Sequence, residues 1–233
     1  MDAHAHFERP EELPFRAGVT TVFCGVDPAS AAALMPLAGP DIIVSCGLHP
    51  WHCDRYDVAD MLPFIERCPI LGEIGMDSVW TDVPLNRQRA VFLEQLRLAA
   101  KLGKPVVLHT KGMEAEIARI VADYPVRKLV HWYSCGEHLD AYLRQDCYFS
   151  VGPDHRTNPA VQDVIRTAPL NRLLTETDGV GAIGWALGRE ASPGDIEGVL
   201  TGELAAIARA HGVTMEAAAA AVRQNLNEFI LKS

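Results

Sequence analysis

Residues 84–109 read PLNRQRAVFLEQLRLAAKLGKPVVLH. Leu85, Phe92, Leu96, Ala99 and Leu102 recur at steps of seven, four, three and three, which lays one apolar stripe along a helix. Pro84 suits the first helical turn, where an amide hydrogen has no partner to lose, and Gly103 suits the stop. Lys104-Pro105 then leads into Val106-Val107-Leu108, a continuous apolar run that ends in His109. A run without polar alternation reads as a strand covered on both faces, as in a parallel sheet.

Outward from this unit the same alternation continues. Strand-like runs fall at residues 3–6, 19–24, 42–46, 70–74, 106–109, 129–132, 148–151 and 173–176. Helical patterns fall at 29–38, 114–123, 137–145, 159–167, 196–210 and 215–229. Eight strands, each followed by a helix or a connection of helix length, predict an α/β fold, a (β/α)8 TIM barrel in one domain over residues 1–233. An open doubly wound sheet is the competing architecture. A chain of 233 residues can bury a large core without disulfides or a structural metal.

Composition narrows the function classes. Lys plus Arg is 21 and Asp plus Glu is 30, a net charge of −9, which argues against a protein held on nucleic acid by bulk electrostatics. An enzyme that takes a nucleic-acid end into a metal site remains compatible with it. No apolar stretch is long enough to span a membrane. Met1-Asp2-Ala3-His4 has neither the basic part nor the apolar part of a signal peptide, so a cytoplasmic location is expected. The six cysteines form no CxxC pair, and Cys24, Cys46 and Cys147 lie in apolar runs as ordinary buried residues would.

The polar residues at the strand ends carry the chemistry. His4 and His6 are two apart, so on a strand they share a face and can hold one divalent ion; alone, such a pair is equally an exposed feature of a frayed terminus. Glu73 ends an apolar strand, where a carboxylate needs a cation: a metal, or an arginine such as Arg87 or Arg89. His109 and His131 end consecutive strands at one level. Asp178, before Gly179, reads either as a turn or cap residue or as a metal-bound carboxylate that takes a proton from water. Four histidines and two carboxylates on one rim suit a hydrolase with two divalent ions.

These residues match a family. Asp2-Ala3-His4-Ala5-His6, Gly47-Leu48-His49-Pro50, Gly72-Glu73-Ile74-Gly75-Met76-Asp77, Gln95-Leu96-Arg97-Leu98-Ala99 and Pro105-Val106-Val107-Leu108-His109-Thr110-Lys111 appear in family order. His131-Trp132-Tyr133-Ser134, Thr175-Glu176-Thr177-Asp178 and Gln224-Asn225-Leu226-Asn227-Glu228-Phe229 complete the set. The chain resembles the TatD family of metal-dependent hydrolases, within the amidohydrolase superfamily, over almost its whole length.

The resemblance implies a metal-filled barrel with phosphodiester chemistry, often described as deoxyribonuclease activity. It implies that His4, His6 and Asp178 hold one ion, that His109 and His131 hold a second, and that Glu73 bridges both. No carboxylated lysine serves as the bridge, because neither Lys104 nor Lys111 occupies the fourth-strand position. Glu73, Asp178 and His49 are the implied catalytic residues, with Asp178 shuttling the proton and His49 contacting a phosphate oxygen. Lys111 stands where the family often has arginine and reads either as a phosphate contact or as an exposed loop lysine. Mixed imidazole and carboxylate ligands suit two ions of zinc, manganese, cobalt or nickel, with magnesium also admitted.

Three departures from the family pattern stand out. The chain opens almost on its first motif, which predicts a short first strand, a less rigid His4 and a less secure supporting role for Asp2. After Asp178, residues 179–188 replace a proline-rich loop with a glycine-rich stretch that reads as mobile. In it Trp185 is either a base-stacking residue or a packing residue. Trp132, Tyr133 and Cys135 give an atypical wall beside His131; Cys135 reads as an inert neighbour of the metals, a redox-sensitive thiol or a stray soft ligand.

The expected function is hydrolysis of phosphodiesters at DNA ends, with DNA or a small phosphoester as substrate, no membrane partner and a monomer compatible with all of this. The alternative is hydrolysis of another ester or amide, such as a small phosphoester, an aminoacyl ester or a cyclic amide, since the same ions serve attack on carbonyls. A metal-binding barrel without turnover is the non-enzymatic alternative.

Overall fold

A computed structural model describes residues 1–231. Its strands are β1 (Asp2–Ala5), β2 (Thr21–Gly25), β3 (Ile42–Cys46), β4 (Ile70–Gly75), β5 (Val106–His109), β6 (Lys128–Val130), β7 (Tyr148–Val151) and β8 (Leu173–Thr175). They form one parallel sheet in the order β1 to β8. The edges meet: the Asp178 amide donates to the His4 carbonyl at 3.1 Å and the Thr175 hydroxyl to the Met1 carbonyl at 2.7 Å. A doubly wound sheet would keep its first and last strands apart, so the barrel reading holds and the open-sheet alternative falls.

The helices are α1 (Pro28–Leu34), α2 (Val58–Ile65), α3 (Leu85–Leu102), α4 (Glu114–Val121), α5 (Leu139–Leu143), α6 (Pro159–Thr167), α7 (Val180–Leu187), α8 (Ile196–His211) and α9 (Met215–Leu231). Two of these were not legible. The α2 segment carries Pro63 in its interior, which obscures the pattern. The α7 segment was expected to be a mobile glycine-rich loop. It is instead a helix, because Val180 and Ile183 bury themselves in a satellite cluster with Ile196, Val199 and Leu200.

The stripe that decides the fold also differs in detail. On α3 the buried face comprises Gln88, Val91, Phe92, Gln95, Leu96 and Ala99, while Leu85 and Leu102 are exposed. Two glutamines therefore lie where an apolar pattern has no place for them. Each spends its amide on a loop at the barrel mouth. Gln95 bonds both the amide and the carbonyl of Leu48, at 2.7 and 3.0 Å. Gln88 does the same for Asp77, at 2.8 and 3.0 Å. A buried amide with all its partners in place fixes backbone geometry. Thus α3 positions the loop before His49 and the loop after β4. Among the described residues, no helix is long and apolar enough to cross a membrane.

Candidate metal centre

β1, β4, β5, β6 and β8 each deliver a polar residue, on the strand or just beyond it, to the same rim, and the reason is local. β1 is short, as expected, but it is not loose. Asp2 is buried, takes an ion pair from Arg16 at 2.6 Å, and accepts bonds from the Thr177 amide and hydroxyl at 2.9 and 2.6 Å. This clamp ties β1 to the end of β8, and His4 is fully buried between them. The expectation of a less rigid His4 and a less secure Asp2 is therefore corrected. Gly75 ends β4 beside His109; a side chain there would place its Cβ 1.9 Å from the His109 carbonyl, so only glycine lets β4 and β5 close up. Asp178 adopts φ +56° and Trp132 φ +35°, two strained backbones at one rim.

Glu73 stands at the centre with its two oxygens divided. Oε2 lies 3.4 Å from His4 Nε2 and 3.3 Å from His6 Nε2. Asp178 Oδ1 joins that group, 3.2 and 3.4 Å from the same nitrogens. Oε1 lies 2.7 Å from His109 Nδ1, 2.8 Å from His131 Nε2 and 3.4 Å from His49 Nε2. Arg87 and Arg89 pair elsewhere, with Asp57 and Glu116, so the arginine alternative for Glu73 is excluded.

The donor set fits divalent ions on an observation independent of any family. His4 Nε2, Glu73 Oε2 and Asp178 Oδ1 are buried and make no aligned hydrogen bond among the described residues. Unpaired buried polar atoms are costly, and three that converge call for a shared partner. Ligands about 2.0–2.1 Å from one tetrahedral ion lie about 3.3–3.4 Å apart. The four imidazole–carboxylate separations in the first group, of six among its four donor atoms, run from 3.2 to 3.4 Å.

The flanking residues set the tautomers. Asp77 Oδ2 sits 2.9 Å from His109 Nε2 and would hold the proton there, so that Nδ1, turned toward Glu73, would be the nitrogen that binds an ion. His49 Nδ1 accepts from the Trp51 amide at 3.2 Å, so its Nε2 carries the proton and faces Glu73. Glu176 Oε2, held by the Ser150 hydroxyl at 2.7 Å, stands 3.7 Å from His131 Nδ1; that is too long for a hydrogen bond and acts through charge. Asp77 was missed as a functional residue. Its signal was present, a carboxylate four residues after Glu73 at the same rim.

Electrostatics follow from crowding. Burial opposes a charge on His4 and so does His131, yet Glu73 and Asp178 carry its pKa up to about 9. Burial likewise opposes charge on His109 and His131; the carboxylates Asp77 and Glu73, and Glu73 and Glu176, raise them. Burial dominates at His49 and pushes it down to about 4, so this ring is neutral at pH 7. Burial would raise Glu73 and Asp178, but the imidazoles around them hold both below the usual carboxylate range.

Of two thiols, Cys135 is the inert neighbour, and Cys24 is buried as expected but lies against the ligands. Cys135 takes a hydrogen bond from the Glu137 amide and joins no group of ligand atoms among the described residues. Cys24, read as an ordinary core residue, places its sulfur within 4.8 Å of ligand atoms of His4 and Glu73, at the floor of the centre. The Ser45 hydroxyl donates to it at 3.2 Å, and burial pushes its pKa up, so it stays a thiol. Lys111 lines the mouth with its Nζ bonded to the Ser134 hydroxyl at 3.1 Å.

Comparison with known proteins agrees with this geometry. The chain is 32% identical over 149 residues to the uncharacterised metal-dependent hydrolase YcfH of Escherichia coli K12, a match covering 59% of this chain and 56% of that protein. It is 30% identical over 163 residues to the 3'-5' ssDNA/RNA exonuclease TatD of Edwardsiella piscicida, covering 64% and 63% of the two chains. Among solved structures, the TatD homolog YjjV of E. coli K12 superposes with a TM-score of 0.81 at 23% identity, covering 100% of this chain and 97% of that one. The family model described as TatD related DNase matches residues 1–230, and the chain belongs to that family of metal-dependent hydrolases.

Proposed function

We propose that this protein hydrolyses phosphodiesters at the ends of nucleic-acid strands with two divalent ions, both of which Glu73 would help to hold. The observation that carries the proposal is the division of Glu73: one oxygen faces His4, His6 and Asp178, the other His109, His131 and His49. The exonuclease name of the Edwardsiella relative supports the choice of substrate. His4, His6 and Asp178 would hold one ion and His109 and His131 the other. Such ions, when bound, neutralise charge on phosphoryl oxygens and make water nucleophilic near neutral pH.

The chain's own residues account for the rest. Asp178 is held as a carboxylate at neutral pH by the imidazoles around it, and it lines the cavity, so it can take a proton from water and return it to the leaving oxygen. His49, neutral with its Nε2 protonated, can donate to a substrate oxygen without adding charge. Lys111 supplies a point charge at the mouth.

A second reading, hydrolysis of a carbonyl ester or amide, keeps one specific support: Lys111 is the only lysine or arginine lining this cavity among the described residues. The test compares single-stranded DNA with carboxylic esters and amides, using protein supplied with manganese, magnesium or zinc and His131→Ala as control. Metal-dependent DNA cleavage lost in His131→Ala is expected. Esterase or amidase turnover without DNA cleavage would replace the first reading with the second.

A further inference from the structure

The chain has four tryptophans, and all four, Trp51, Trp80, Trp132 and Trp185, line one cavity of about 360 Å³ that opens onto His109, His131 and Asp178. Three of them are substantially exposed: Trp51 by 41%, Trp80 by 55% and Trp185 by 63%. Trp185 is therefore no packing residue. Leaving three indoles in water at one place forfeits much apolar burial, and such patches mark binding sites.

The rings are arranged, not merely gathered. Trp185 stands edge-on to both neighbours, 5.7 Å from Trp132 at 75° and 6.3 Å from Trp80 at 89°, between ring centroids. These are favourable aromatic geometries, and Trp80 and Trp185 remain more than half exposed within them. Two of the walls are also fixed in place. Trp132 donates from its indole nitrogen to Asp154 at 2.7 Å, and its ring lies so close over Gly152 that a Cβ there would sit 2.3 Å from it. Trp51 donates to Asp77 Oδ2 at 2.7 Å, and the amides of Val79 and Trp80 bond Asp77 Oδ1 at 2.7 and 2.8 Å. Asp77, which orients His109, thus anchors the indole wall as well.

The side chains around the cavity do not favour tracking of a long polyanion. Outside the proposed metal ligands, the lining offers Lys111 alone among lysines and arginines, against the carboxylates Glu114 and Asp154. Grooves that follow a nucleic-acid backbone neutralise phosphate after phosphate with Lys and Arg. A cavity of about 360 Å³ lies at the small end of ligand pockets, which run from about 300 to 1,000 Å³.

The geometry points to recognition of the substrate by one planar aromatic ring, a single unstacked terminal base seated among Trp80, Trp132 and Trp185, with one anionic group beside Lys111 and no contribution from the rest of the strand. This inference rests on the phosphodiesterase reading above. It assigns specificity to Trp80 and Trp185, and it makes affinity independent of chain length and nearly independent of salt.

Because every tryptophan is in the cavity, intrinsic fluorescence reports occupancy directly. The probes are deoxyadenosine 5'-monophosphate, deoxyribose 5-phosphate as the control without a base, and a longer single-stranded oligonucleotide. Deoxyadenosine monophosphate is expected to quench saturably and to bind within about tenfold of the oligonucleotide. Its affinity should change less than about tenfold between about 50 and 200 mM salt, where a protein with many phosphate contacts loses about 10³-fold or more. Deoxyribose 5-phosphate should bind at least about tenfold more weakly. Trp185→Ala should weaken the nucleotide by about 5- to 100-fold, the range for loss of one base-stacking ring, and Trp185→Phe should restore most of it. Trp185, like Trp80, is exposed, so folding is not at stake in either substitution to alanine.

Equal binding of the two monophosphates, unchanged binding in Trp185→Ala, or steeply salt-dependent binding of the oligonucleotide alone would each overturn the inference. The outcomes separate from those of the functional reading. Base-dependent quenching in a protein that cleaves no DNA supports the indole site and removes the nuclease. Metal-dependent DNA cleavage indifferent to Trp80→Ala and Trp185→Ala keeps the nuclease and overturns the indole site.

Discussion

The barrel mouth has two regions built by different means. The histidine–carboxylate centre comes from strand ends: His4, Glu73, His109 and Asp178 sit on or just beyond β1, β4, β5 and β8, and the sheet fixes their spacing. The indole wall comes from connections: Trp51 after β3, Trp80 after β4, Trp132 after β6 and Trp185 on α7. The first region is largely buried and charged, with His4 Nε2, Glu73 Oε2 and Asp178 Oδ1 lacking a hydrogen bond among the described residues; the second is largely exposed and apolar. Strand ends on a closed sheet preserve geometry through any change of loop, whereas connections can change the substrate without disturbing the centre.

Glu73→Gln should break the first region most severely. It removes the charge that both clusters share, so metal content should fall and kcat/KM should drop on the order of 10³-fold, the equivalent of several kcal/mol of lost stabilisation. Metal analysis and turnover on the same preparation check this. Unchanged metal content would show that the carboxylate does not bridge.

Asp77→Asn sharpens the comparison because Asp77 serves both regions. Losing the carboxylate partner of His109 should weaken metal affinity about 10- to 100-fold. The same change loosens Trp51 and the Trp80 loop, so quenching by a nucleotide should weaken in parallel. A metal titration alongside a fluorescence titration separates the two, and an effect on one alone would show that Asp77 does not couple them.

Stability against pH probes the centre without turnover. In metal-free protein His4 is raised from 6.5 to about 9, so its contribution is complete below pH 6.5 and is lost as pH rises through about 9. His109 and His131, also raised, act in the same direction. His49, lowered to about 4, acts in the opposite sense, adding stability as pH rises from about 4 to 6.5. The melting temperature of metal-free protein should therefore fall between pH 6.5 and 9. Metal-loaded protein should fall less, because a metal-bound imidazole has no proton to lose. Parallel curves would contradict the ligand assignment of His4.

Glu203→Gln gives the smallest expected effect. This buried carboxyl is raised by burial, and then by Glu176 and Asp2, so ionising it as pH rises costs stability. A neutral glutamine should raise stability at pH 8 more than at pH 5, because ionisation of the raised carboxyl is what costs stability, and leave metal content unchanged. Thermal melts at pH 5 and pH 8 check it; a gain at both pH values alike would point to packing instead.

Much of this was legible in the sequence, and the exceptions share a cause. The eight strands and the long α3 helix follow from apolar runs and periodicity, which local sequence encodes. The strand-end histidines and carboxylates follow from placing those runs on one rim. Gln88 and Gln95 were hidden because a buried amide breaks the apolar pattern it sits in and its partners are 11 and 47 residues away. The α7 helix was hidden because its apolar residues pack on α8, a long-range contact no local pattern shows. Cys24 looked like core because it is core, with the centre directly above it. The grouping of four tryptophans needed the fold, since they are scattered from position 51 to position 185.

The most direct test of the central claim is anomalous diffraction from crystals of manganese-loaded protein. The account predicts two anomalous peaks at the barrel mouth, one bonded to Glu73 Oε2 with His4, His6 and Asp178, the other bonded to Glu73 Oε1 with His109 and His131. A single peak, or two peaks that Glu73 does not join, would contradict it.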